Sequence, residues 1–191
     1  LVSSRGLGDV YKRQCKYFAG HSLGEYSALV CSGSLDFDDA LYLLHERGKE
    51  MQNAVPVGEG SMIAVLGTSI DEINDLMKIN VRESEVCEIA NDNAKGQVII
   101  SGDSESVKKF QLFIKEKKIK SIPLKVSAPF HCSLMKSAAE SMREKINNTN
   151  FIDPKFNIIS NVKALPETEA KNIKNLLIDQ IFKTVKWRES I

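Results

Sequence analysis

The chain has 191 residues, 42% hydrophobic and 27% charged, which suits one ordinary globular domain, or one domain with a small insert, and provides a real core. Its 26 Lys and Arg nearly cancel its 25 Asp and Glu, so the net charge of +1 gives no electrostatic footprint for nucleic acid. No apolar run approaches a membrane span and no signal-peptide pattern opens the chain; four scattered cysteines without metal-ligand spacing read as reduced thiols of a cytosolic protein, with no zinc site expected.

The first segment, LVSSRGLGDVYKRQ (1–14), is polar and has neither a helical nor a strand period, so it is set aside as a non-native linker. KYFAG (16–20) predicts a short buried strand ending at Gly20. From Leu23 the apolar residues Leu23, Ala28, Leu29 and Val30 predict a helix, stopped by Gly33. Asp36 is the expected N-cap of a second helix running to about Asn53, with Asp38 and Asp39 in its first turn. SMIAVLG (61–67) predicts a strand and DEINDLMK (71–78) a helix. VCEIAN (86–91) and QVIISG (97–102) predict strands joined by a turn over 92–96. A helix over 104–118 and an extended segment over 120–126 complete the order β-α-β-β-α-β, the split βαβ or ferredoxin-like arrangement. Residues 60–127 are therefore read as a small subdomain inserted in a larger α/β domain. A helix (133–148), a strand (156–160) and an amphipathic helix (169–185) follow. KTVKWRESI ends the chain without a cap or polar tail, and the expectation is a fragment cut at both ends.

Gly20-His21-Ser22-Leu23-Gly24 is a G-x-S-x-G pattern between a strand and a helix. There a serine is either an ordinary N-cap or a nucleophile on a strained turn, with the Leu23 N–H aimed at an oxyanion. A serine nucleophile needs a base. His21 is adjacent but points elsewhere, and is read as packing or ordering the turn. His45 lies mid-helix and reads as a surface residue. His131 lies in an irregular Ala-Pro-Phe-His loop and is either a packed histidine or the base. Arg47 falls on the buried face shared by Ala40, Leu44 and Met51, so its fixed charge needs an anion. That anion is a structural partner such as Glu25, the favoured reading for the residue taken alone, or a substrate carboxylate. Asp103 stands between Ser22 and His131 in the chain, as a triad acid would, but it precedes a helix and reads as a cap. A Ser–His dyad fits better than a triad.

Taken together, AGHSLGEYSALVCSGSLDFDDALYLLHERGKEMQ (19–52), VSAPFHCSLM (126–135), GQVIISG (96–102) and SNV (160–162) closely resemble malonyl-CoA:acyl carrier protein transacylases of fatty acid synthesis. The resemblance runs from about residue 16 to the end. It implies a large α/β-hydrolase-like acyltransferase domain (15–59 and 128–191) with an inserted ferredoxin-like (βαββαβ) subdomain (60–127). It implies that Ser22 carries the malonyl group as an ester, that His131 moves the proton, and that Arg47 clamps the free carboxylate. The Leu23 N–H then supplies half of the oxyanion hole, and Phe130 and His21 set specificity, Phe130 against an α-methyl branch. The implied reaction uses malonyl-CoA and the phosphopantetheine thiol of acyl carrier protein, with no metal or cofactor, in a cytoplasmic monomer. The family orients its histidine by a main-chain carbonyl, expected here near TVKW (184–187), where Lys186 replaces the family's more frequent Gln or Arg. The family's opening Gly-Gln-Gly-type motif, which supplies the second oxyanion donor, and its C-terminal glycine-rich segment are not matched. The expectation is an active parent transacylase and a weakly active or inactive chain. The competing readings are a serine hydrolase or thioesterase, and an inactive acyl-carrier-binding fragment.

Overall fold

A computed structural model describes residues 15–191; the 1–14 segment read as a linker lies outside the described residues. The chain forms a mixed α/β structure with two sheets. In the first, β1 (Tyr17–Phe18) pairs in parallel with β6 (Asn157–Ile159), which pairs antiparallel with β7 (Pro166–Glu167). Around it lie α1 (Leu23–Cys31), α2 (Phe37–Asn53), α5 (Lys136–Asn148) and α6 (Ala170–Gln180). Their apolar faces bury Tyr26, Leu29, Leu43, Met51, Met142, Ile146 and Leu177 in one core.

The second sheet has the order β3-β4-β2-β5, from β2 (Gly60–Leu66), β3 (Cys87–Ala94), β4 (Gln97–Asp103) and β5 (Lys120–Pro123), with every pairing antiparallel. Strand alternation gives this sheet two apolar faces. Ile63, Val65, Val98 and Ile100 pack under α3 (Ile70–Asn80) and α4 (Ser104–Glu116), while Met62, Ala64, Ala90 and Ile99 face Leu124 and Phe130 on the other side.

The caps follow the local chemistry. Asp36 accepts from the Asp38 N–H at 3.0 Å, and Ser69 accepts from the Glu72 N–H at 3.2 Å. Asp103 accepts from the Ser106 N–H at 2.8 Å and the Val86 N–H at 3.0 Å, so both of its oxygens are used in capping and in tying β3 to β4.

Several expected boundaries change. The strand expected to be buried over 16–20 forms only at Tyr17–Phe18, with Tyr17 exposed, because β1 lies at the edge of its sheet and pairs with β6 alone. The β3–β4 turn tightens to Lys95-Gly96, because β3 pairs through Asn91 and Asp92 as far as Ala94, with two register shifts. The 133–148 helix opens as a 3-10 turn, Ser133–Met135. The helix expected to run to 185 stops at Gln180, because Thr184 and Val185 are drawn out along β3: the Val185 N–H donates to the Ala90 carbonyl at 2.9 Å, and the Asp92 N–H to the Val185 carbonyl at 3.0 Å. Two short elements were not expected, β7 and the one-turn helix α7 (Trp187–Ser190).

Candidate active site

The turn between β1 and α1 carries Ser22 at φ 51° and ψ −100°, a left-handed conformation that costs a non-glycine residue about 1–3 kcal/mol. Distant groups hold it there. The Ser22 N–H donates to Asn161 Oδ1 at 2.7 Å, and Asn161 Nδ2 donates to the Gly20 carbonyl at 2.8 Å, so one buried amide clamps both sides of the turn. A Cβ at Gly20 would collide with the Gly24 carbonyl oxygen, whereas one at Gly24 would meet open space. Only the first glycine of the motif is therefore demanded by packing within the protein. No hydrogen bond among the described residues occupies the Leu23 N–H at the helix start, and the Leu23 side chain is exposed at the cleft.

His131, 109 residues further along the chain, meets this serine. Its backbone is also left-handed, at φ 59°, and its ring is buried. The Ser22 Oγ–H donates to His131 Nε2 at 2.9 Å, while His131 Nδ1–H donates to the main-chain carbonyl of Gln180 at 2.7 Å. A carbonyl only accepts, so Nδ1 carries the proton and Nε2 offers its lone pair to the serine. The orienting carbonyl belongs to Gln180, just before the TVKW segment near which it was expected. Because α6 ends at Gln180, its last-turn carbonyls lack helical partners, and one of them is free to serve the histidine. Burial, and next the Arg47 charge, push the His131 imidazole down to about 3, so it stays neutral near neutral pH.

Arg47 lies on the buried face of α2 with Ala40, Leu43 and Met51; Leu44, expected there, is half-buried. Its Nη2 donates to Ser22 Oγ at 3.0 Å and to Gln180 Oε1 at 3.1 Å, and its buried Nε has no partner. Arg47 makes no ion pair with a carboxylate among the described residues. The structural partner suggested for it, Glu25, is otherwise engaged: its carboxylate accepts from Gln180 Nε2 at 2.6 Å and from the Asn161 N–H at 3.4 Å. Gln180 is therefore a hub, since its carboxamide also donates to the Ser22 carbonyl at 3.1 Å.

Burial pushes the Glu25 carboxyl up to about 7 against its hydrogen bonds and the Arg47 charge. A raised carboxyl stabilises the fold fully below its unfolded value near 4.5, and that contribution is lost as pH rises through 7. Glu25→Gln is expected to gain on the parent by about 3 kcal/mol between pH 4.5 and 7. Denaturant titrations of both at several pH values check this; a difference that stays flat with pH contradicts it.

These groups open on a cleft of about 610 Å³, walled by Met51, Met62, Ile99, Leu124 and Phe130 and edged by His21, Asn91 and Asn93. His21 Nε2 donates to Asn93 Oδ1 at 2.8 Å, and its ring stands edge-on to Trp187 at 5.3 Å. It therefore orders the turn from the side and does not touch Ser22 as a base. His45 is exposed. Asn161, Gln180 and Asn93 went unrecognised in the sequence, although SNV (160–162) marked the first of them. Among the described residues no helix is long and apolar enough to cross a membrane.

The chain matches the model of the acyl transferase domain over residues 6–191. It is 43% identical to the malonyl CoA-acyl carrier protein transacylase of Haemophilus influenzae, over all of this chain and 63% of that protein. It is 43% identical to the same-named protein of Bacillus subtilis, over 92% of this chain and 56% of that one. The chain thus spans about three fifths of the length of these curated relatives. Among solved structures, an acyl carrier protein S-malonyltransferase from Vibrio cholerae superposes with a TM-score of 0.90 at 38% identity, covering 97% of this chain and 61% of that one. A malonyl-transacylase solved in complex with a type II PKS acyl-carrier protein gives a TM-score of 0.89 at 37% identity, covering 97% of this chain and 60% of its own. The strained serine, its histidine and the coverage of nearly the whole chain lead to one assignment: the chain belongs to the acyl transferase domain family.

Proposed function

We propose that this chain carries the reaction centre of a malonyl-CoA:acyl carrier protein transacylase of fatty acid biosynthesis. One observation carries the reading: a buried arginine with no carboxylate partner among the described residues and one unpartnered nitrogen stands 3.0 Å from a serine that is hydrogen-bonded to a neutral histidine. A site for neutral acyl groups gains nothing from a desolvated cation there, whereas a malonyl group brings the missing carboxylate.

Ser22 Oγ attacks the thioester carbon of malonyl-CoA as its proton passes to His131 Nε2. The C–S bond breaks, His131 returns the proton to the leaving thiolate, and the malonyl group remains as an ester on Ser22. The phosphopantetheine thiol of acyl carrier protein then accepts it by the reverse steps. The Leu23 N–H, helped by the α1 N-terminus, stabilises the oxyanion. The Gln180 carbonyl supports the imidazolium that forms in between. Phe130 narrows the cleft against an α-methyl branch, and His21, fixed by Asn93 and Trp187, shapes its edge. These steps call on no metal or cofactor.

In this reading residues 15–59 and 128–191 form the α/β-hydrolase-like acyltransferase domain and 60–127 its ferredoxin-like insert; the antiparallel β3-β4-β2-β5 order supports the insert. The protein works as a cytoplasmic monomer. The test separates transfer from hydrolysis. A malonyl-Ser22 ester should persist in water and discharge when holo acyl carrier protein is added. Discharge by water at the same rate with and without the carrier makes the protein a thioesterase instead.

A further inference from the structure

The His131 loop is tied to the small sheet by one carboxylate that the chemistry above does not use. Glu88 lies on β3 and accepts from both donors of Ser133, two residues after His131: the N–H, at 3.0 Å, and the hydroxyl. The next residues of β3 hold the other side of the histidine. The Ile89 carbonyl accepts from the Thr184 hydroxyl at 2.6 Å, and the Ala90 carbonyl accepts from the Val185 N–H at 2.9 Å. That segment lies one turn of chain beyond Gln180, with residues 181–183 between, and the Gln180 carbonyl orients the imidazole. Three consecutive residues of one strand therefore tie the loop that follows the base to the segment that follows its orienting carbonyl. Local structure does not do so: His131 has a left-handed backbone outside any helix, and Gln180 sits at a helix end. Glu88 is absent from the walls of the reaction cleft and lines a different groove, of about 750 Å³, with Ser133 and Thr184.

We infer that Glu88 is a positioning residue for His131, acting through Ser133. The inference rests on the Ser22–His131 reading, and its test has an arm that needs no substrate. In the whole chain, labelled at histidine nitrogens, the His131 Nδ1–H proton reports the bond to the Gln180 carbonyl. Glu88→Ala should move that resonance upfield and speed its exchange. Glu88→Gln, which keeps one acceptor oxygen for Ser133, should fall between. Ser69→Ala, which deletes a cap in the same subdomain but leaves the His131 loop untouched, should leave it unmoved. In parallel, reaction of Ser22 with a fluorophosphonate should slow about 10- to 100-fold in Glu88→Ala, since small misplacements of a reacting group cost that much. Should Glu88→Ala not fold, Ser133→Ala removes only the hydroxyl bond and should shift the same resonance less, in the same direction. An unmoved His131 resonance in whichever of these variants folds overturns the inference. A parent Ser22 inert to the fluorophosphonate overturns the nucleophile assignment alone, and the resonance still decides the positioning.

Discussion

His131→Ala is expected to slow acylation of Ser22 by malonyl-CoA about 10²- to 10⁴-fold, the range for removal of a positioned general base. Among the described residues no other group takes its place: His21 donates to Asn93, His45 is on the surface, and Asp103 spends its oxygens on Ser106 and Val86. The same account sets the pH dependence. With the imidazole held at about 3 by burial and by Arg47, the base of the free protein is unprotonated across the ordinary range. The acylation rate at low malonyl-CoA should therefore show no acid limb near 6.5, staying level down to about pH 5. In Arg47→Ala the limb should move upward, because a cation that opposes protonation has gone. Stopped-flow acylation across pH checks both; a limb at 6.5 in the parent that is unchanged in Arg47→Ala contradicts the burial and the charge coupling.

Arg47→Ala should separate acyl groups by their charge. Malonyl transfer should fall about 10²- to 10³-fold, the cost of removing one partner of a buried, hydrogen-bonded charge pair. Acetyl transfer should hold or rise, because Arg47 meets an acetyl group with no carboxylate and holds down the basicity of His131. Arg47→Lys should recover little, since one ammonium cannot offer two parallel N–H bonds. The readout is acylation rate with malonyl-CoA and acetyl-CoA in parallel, with thermal melts to confirm folding. Equal losses for both donors would mean that Arg47 supports the fold and not the substrate.

Much of this site was legible because its signals are local. A strand, a G-x-S-x-G turn and a helix in sequence mark a serine elbow, and helical spacing alone puts Arg47 on a buried face. The β-α-β-β-α-β order could be read from alternating periods. The supports of the site were not legible, because each works across the fold. Asn161 reaches Ser22 over 139 residues, Gln180 reaches His131 over 49, and Glu88 reaches Ser133 over 45. A lone amide or carboxylate with so distant a partner leaves no period in the chain. Gln180 was hidden a second way: the amphipathic pattern runs on to 185, and only pairing of Thr184 and Val185 with β3 ends the helix where its carbonyl is needed. Arg47 shows the reverse case. For an isolated buried arginine the ion pair was the stronger reading, and only the contacts show Glu25 committed to Gln180 and Asn161.

The central claim is that Ser22 accepts a malonyl group. Its most direct measurement is the intact mass after mixing with malonyl-CoA, followed by mapping of the modified peptide. It should be run on this chain, on its Ser22→Ala variant, and on the chain extended to the full length of its relatives. The account predicts a malonyl adduct on Ser22 that is lost in Ser22→Ala. A folded, full-length protein that gains no such adduct, or gains it elsewhere, contradicts the account.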